Sequence, residues 1–143
     1  MIFRTTFLFS LILAMAVSGN NLFAQTSENK VLPVVNFYYP KNAYRIKVSE
    51  EIQTYIDKLK SRIEGDDAAS IKLIGFAYDG SNKEWNTRVS KYRVRALRDI
   101  LIANGISKNR IEIEYLGKSK PIAKDNSAKE LAKNRRVELR IEA

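Results

Sequence analysis

EWNTRVSKYRVRALRDILIAN, residues 84–104, carries a single helical periodicity from end to end, and Gly105 closes it. With Val89 set at zero and about 100° per residue, Ala96, Leu97, Ile100, Leu101 and Tyr92 gather into one apolar stripe for the core. Arg88, Lys91, Arg95 and Arg98 fall on the opposite side and read as a solvated basic row, with Asp99 beside them. Arg93 breaks the pattern. It lies at about 40°, inside the apolar stripe and one turn from Val89 and Leu97. A guanidinium there must satisfy its donors with a carboxylate, backbone carbonyls or a ligand, because an unpaired buried charge is costly. Two readings stay open: an internal ion pair tying helix to sheet, with Asp79 as candidate, or a planar fork at a pocket mouth gripping a ligand carboxylate.

Working outward, the other elements separate cleanly. Val34 to Tyr39 is β-branched and aromatic and stops at Pro40, a strand signal. Ser49 caps a helix with Glu50 and Glu51 in its first turn, and Ile52, Tyr55, Ile56, Leu59 and Ile63 follow at helical spacing before Gly65. Ile71 to Ala77 is apolar almost throughout, which predicts a strand in the middle of a sheet. Ile111, Ile113 and Tyr115 alternate with Glu112 and Glu114, and Val137, Leu139 and Ile141 with Glu138 and Arg140, so both segments are strands with one wet face. A short helix is expected over 127–133. The order is β-α-β-α-β-(α)-β, an α+β sandwich with helices packed on one mixed sheet.

The start of the chain has another character. Arg4 precedes FLFSLILAMAV at residues 7–17, then a polar break, then Leu22-Phe23-Ala24. That is the layout of a secretory signal peptide, and its apolar run is shorter than the roughly 20 residues a bilayer span needs. The expected organisation is a signal peptide over 1–24, a short tether over 25–32 and one domain over 33–143. The sequence predicts an exported, periplasmic or outer-membrane-associated protein with no transmembrane segment in its mature chain. Nucleic acid is then an unexpected partner despite a net charge of +9. The charge is uneven: residues 25–80 hold 8 basic and 8 acidic side chains, residues 81–143 hold 16 and 8. Half of the domain is thus suited to an anionic partner. There is no Cys and no His, which excludes disulfides, thiol chemistry, nucleophile–His pairs and the usual zinc sites. Neither a cofactor nor a metal is expected.

Several motifs together resemble one family. Asn86-Thr-Arg-Val89-Ser90-Lys-Tyr-Arg93-Val-Arg-Ala96 is similar to the N-x-x-L-S-x-x-R-A stretch of OmpA-like domains. Gly75-Phe76-Ala77, Asn104-Gly105-Ile106, Gly117-Lys-Ser119-Lys-Pro121 and Asn134-Arg135-Arg136-Val137-Glu138 each match a piece of the same pattern, which covers roughly 34–142. The resemblance implies non-covalent binding of peptidoglycan through its stem peptide. An Asp in the loop after the second strand then takes the ammonium of diaminopimelate, and the helix Arg takes a carboxylate. The Arg maps onto Arg93. At the family's spacing the Asp position falls on Tyr78, with Asp79 next door. Either a one-residue shift presents Asp79 to the pocket or the acid is lost.

Asn86 and Ser90 are expected to hold the pocket wall by hydrogen bonds. Arg135 shares the strand face of Val137 and is expected near the pocket, with Arg136 facing solvent. Tyr78 and Trp85 read as loop packing, though aromatics beside a pocket also stack on sugar. The expected function is a non-catalytic envelope module that binds peptidoglycan. The alternative is a degenerate OmpA-like domain that uses its basic face for another envelope protein or a structural role. Paired carboxylates at Asp66 and Asp67 or Glu112 and Glu114 offer a glycan hydrolase as a third candidate, but solvation explains both pairs.

Overall fold

The computed structural model describes residues 33–143, so the expected signal peptide and tether lie outside the described residues. The elements are β1 (Val35–Tyr38), α1 (Glu50–Glu64), β2 (Ser70–Gly75), α2 (Lys83–Ala103), a 3₁₀ turn (Lys108–Arg110), β3 (Ile111–Tyr115), α3 (Ala128–Ala132) and β4 (Arg136–Glu142). The sheet order is β1-β4-β2-β3. Strands β2 and β3 are parallel, which the crossover through α2 allows, and β4 runs antiparallel to both β1 and β2. This is the expected α+β arrangement, with β2 inside the sheet as its apolar run requires.

One face of the sheet buries the core. Ile71 and Leu73 of β2 and Val137 and Leu139 of β4 meet Ile56 and Leu59 of α1 and Val94, Leu97 and Leu101 of α2. Each helix reaches that face by the apolar spacing that predicted it. Ser49 caps α1 by accepting a hydrogen bond from the Ile52 amide at 3.3 Å. Asn82 caps α2 by accepting from the Trp85 amide at 2.7 Å. Gly75 sets the depth of α2: a Cβ there would lie 2.5 Å from the Ser90 carbonyl oxygen, so only glycine lets the helix come this close.

Several expectations need correction. Tyr92 is 42 % exposed rather than core, because it sits at the edge of the stripe and packs against Tyr44. The 3₁₀ turn was not expected. Its Arg110 donates to the carbonyls of Ile63, Asp66 and Asp67 and so closes the end of α1. Arg136 does not face solvent; it is 2 % exposed. Strand alternation places it opposite Val137, but that face is covered there by the segment containing Lys120.

Candidate functional site

Three segments meet along the N-terminal half of α2. The turn after β1 brings residues 40–43, the end of β2 brings Phe76 to Gly80, and the second turn of α2 onward brings Asn86, Ser90 and Arg93. At their centre the Arg93 guanidinium, fully buried, lies 2.9 Å (Nη1 to Oδ2) from the Asp79 carboxylate, also fully buried. Nη2 of Arg93 donates to Asp79 Oδ1 at 3.0 Å. Its remaining donors go to backbone: Nε to the Ala43 carbonyl at 2.8 Å, Nη1 to Phe76 at 3.2 Å and Nη2 to Pro40 at 3.3 Å. Tyr39 places its ring 5.1 Å from the guanidinium carbon.

Asp79 is held from both sides. Its Oδ1 accepts from the Asn42 amide, and its own amide donates to Asn86 Oδ1 at 2.7 Å. Asn86 Nδ2 then donates to the carbonyls of Gly80 and Asn82, so one buried amide shapes the whole loop. Asp79 Oδ2 is buried with no hydrogen-bond partner; only the charge of Arg93 answers it. Burial pulls the Arg93 guanidinium below its ordinary value, the Asp79 hydrogen bond and charge oppose that, and Arg135 adds to the lowering. Burial likewise pushes the Tyr39 phenol up, and its hydroxyl has no described partner.

The structure therefore brings together Arg93, Asp79 and Asn86, with Asp79 rather than Tyr78 facing the arginine. Arg135 adjoins the cluster through Tyr39, whose carbonyl accepts from Arg135 Nε at 3.2 Å. Ser90 lies one turn from Arg93 on the inner side of α2 but serves another joint: it donates to Thr87 O and accepts from the Gly117 amide at 3.1 Å. The Tyr78 ring turns to Lys118, whose ammonium stands 4.5 Å from its centroid. Sequence reasoning missed Asn42 and the carbonyls of Pro40 and Ala43. Asn42 adopts a positive φ of 59°, which Asn tolerates, but the sequence does not say where its amide points. Chemically, a buried cation beside a carboxylate matches a ligand that carries both an anion and an ammonium. Among the described residues no cluster of acids suits a metal ion.

A four-stranded mixed sheet with helices on one face, and an arginine midway along its long helix paired with an aspartate of the loop after β2, defines an OmpA-like domain. Residues 38–135 match the OmpA family, and the chain belongs to it. Outer membrane protein A of Bordetella avium is 31 % identical over 86 residues, 60 % of this chain and 44 % of that protein. The probable lipoprotein YiaD of Escherichia coli is 32 % identical over 72 residues, 50 % of this chain and 33 % of that protein. The chain thus spans less than half of these two relatives. Among solved structures, the peptidoglycan-associated lipoprotein of Burkholderia pseudomallei superposes with a TM-score of 0.68 at 22 % identity, covering 75 % of this chain and 89 % of that one. The C-terminal domain of Helicobacter pylori MotB gives 0.62 at 21 % identity, covering 76 % and 84 %. At that identity these two show the fold.

Proposed function

We propose that this domain binds peptidoglycan non-covalently through the diaminopimelate of the stem peptide. Arg93 takes a carboxylate of that residue and Asp79 its ammonium. The observation that carries the reading is the Arg93–Asp79 pair itself, a buried cation and carboxylate 2.9 Å apart. A zwitterionic head can replace each partner of the pair by its own opposite charge, so the charge balance of the site is kept. Family membership and the names of the peptidoglycan-associated relatives support peptidoglycan as the polymer bound. Both side chains are fully covered, so entry requires the exposed residues Pro40 to Asn42 to lift from the pair. Asn86 holds Asp79 in place, Arg135 adds positive charge beside the carboxylate end, and Ser90 and Tyr78 fix the neighbouring loops. No residue here is assigned a bond-breaking role. The protein belongs, on this reading, in the periplasm or at the outer membrane, exported by its signal peptide. Among the described residues no helix is long and apolar enough to cross a membrane.

The test is co-sedimentation of the protein with purified sacculi across a salt series, with free competitors. Excess meso-diaminopimelate should release the protein, and cadaverine, which has the ammonium groups but no carboxylate, should not. Asp79→Ala and Arg93→Ala should stay in solution, each checked for folding by circular dichroism. Pelleting that ignores both competitors and collapses with modest salt would transfer the contact to the basic face and end the proposal.

A further inference from the structure

Away from this cluster, the solvent side of α2 sets unpaired cations among exposed aromatic rings. Arg88 and Arg95 are exposed and Lys91 is half-buried. None of the three pairs with a described carboxylate, whereas Arg98 is held by Asp99 at 2.9 Å. The solvent-facing ionic residues of the helix are five basic (Lys83, Arg88, Lys91, Arg95, Arg98) and two acidic (Glu84, Asp99), a balance of +3.

The rings stand between these charges. Tyr92 lies one turn from both Arg88 and Arg95, on the same side of the helix. Across from it is Tyr44, with ring centroids 5.7 Å apart and planes tilted by 55°. The two tyrosines are 42 % and 45 % exposed. They line a groove of about 560 Å³ between residues 44–48 and α2, together with Arg45, Val48, Arg95 and Asp99. The Arg45 guanidinium lies 5.8 Å from the Tyr44 ring. On the other flank of the helix, the Lys91 ammonium stands 5.6 Å from the exposed ring of Tyr115.

Ring faces flanked by guanidinium forks fit a ligand that alternates apolar C–H faces with anionic groups. Sugars bearing carboxylate or phosphate have that build: the aromatic ring takes the flat face, and arginine takes the anion through two donors. Cations repeating along a helix axis also suit a polymer whose charges repeat. A protein partner would centre on the groove's apolar floor, where Ile46, Ala96 and Ile100 are half-buried, rather than on charge. Arg45, Val48, Arg95 and Asp99 form its exposed rim, and the free cations continue past it along the helix to Arg88 and Lys91. We propose that the solvent face of α2 and the Tyr44–Tyr92 groove form a second binding surface, for an acidic polysaccharide lying along the helix. It is separate from the Arg93–Asp79 pair and does not depend on the ligand assigned to that pair.

Polygalacturonate is a suitable probe, and Trp85 a suitable reporter, since it is the one Trp of the chain and 40 % exposed at the start of α2. Titration should shift Trp85 emission with polygalacturonate and leave it unchanged with neutral dextran. Poly-L-glutamate of matched charge should bind about tenfold more weakly or worse. The double variant Tyr44→Ala/Tyr92→Ala should lose about tenfold in affinity with its salt dependence unchanged. Arg88→Gln/Arg95→Gln should lose affinity and flatten the salt dependence. All four positions are exposed, so unchanged circular dichroism will certify the fold. Equal binding of poly-L-glutamate, indifference to loss of the tyrosines, or no binding of polygalacturonate would each overturn the proposal.

Discussion

Arg93 and Arg136 are the two largest fully buried side chains among the described residues, and the protein holds them in opposite ways. Arg93 is saturated: three backbone carbonyls from two segments and both oxygens of Asp79 surround its fork. Arg136 lies on the far face of the sheet with its guanidinium carbon 3.8 Å from the Phe76 ring. It donates to one oxygen of Glu138 at 2.7 and 3.1 Å and to the Lys120 carbonyl at 3.5 Å, and its Nη1 has no described partner. Glu138 is shared, since its other oxygen accepts from Arg140 at 2.7 Å. The difference shows that depth alone does not rank a buried charge. What ranks it is how many groups become unsatisfied when it is removed.

The sharpest break of this comparison is Arg93→Met. It strands the Asp79 carboxylate and three carbonyls, and urea denaturation should show a loss of about 3–5 kcal/mol. Asp79→Asn keeps a hydrogen-bonding side chain and should cost about 2–3 kcal/mol. The double variant Arg93→Met/Asp79→Leu should then lose less than the sum of its parts, by at least ~1 kcal/mol; strict additivity would mean the two side chains are not coupled. Arg136→Met should cost only about 1–2 kcal/mol, because Glu138 keeps Arg140 and a donor without a partner disappears. A loss as large as that of Arg93→Met would erase the contrast.

Acid sharpens it from the other side. Burial raises the Glu138 carboxyl, but hydrogen bonds from Arg140 and Arg136 outweigh it and hold the group below its ordinary value. A carboxylate depressed on folding stabilises above its unfolded value, about 4.3, and that stability fades as pH falls through the lower folded value. The stability difference between wild type and Glu138→Gln should therefore be present at neutral pH and shrink below about pH 4. The smallest effect belongs to the solvated pairs of Lys72 with Glu112 and Glu114 at 3.6 and 3.7 Å. Lys72→Ala should stay within about 0.5 kcal/mol by the same denaturation assay.

These two arginines also mark what the sequence discloses. Arg93 was legible because a helix has a fixed period, and a charge at the wrong angle stands out at once. Periodicity likewise located α1, α2, β3 and β4, while β1 and β2 were read from β-branched and apolar runs. Arg136 was misread because alternation assigns a strand residue to a face without saying what covers that face. The cover comes from the segment around Lys120, which has no period to read. Asp79 needed the same kind of information. Spacing put Tyr78 at the expected place, and only the loop path, set by Asn86 and by the Asn42 amide, turned Asp79 to the arginine. Tyr92 shows the limit within a helix: the angle was known, but a residue at the rim of a stripe is decided by its neighbour, here Tyr44.

Strand order has a consequence for the making of this protein. In the order β1-β4-β2-β3, the first strand touches the sheet only through the last. A ribosome that has released residues up to 135 has delivered β2, α2 and β3, but β1 still has no edge to join. The residues that cradle Arg93 just after β1 are fastened by Tyr39, whose amide and carbonyl both bind Arg135, 96 positions along the chain. Closing so long a loop comes late and at an entropic cost. The turn that cradles Arg93 is thus closed only once Arg135 and β4 are in place, and a chain lacking them would leave Tyr39 unfastened.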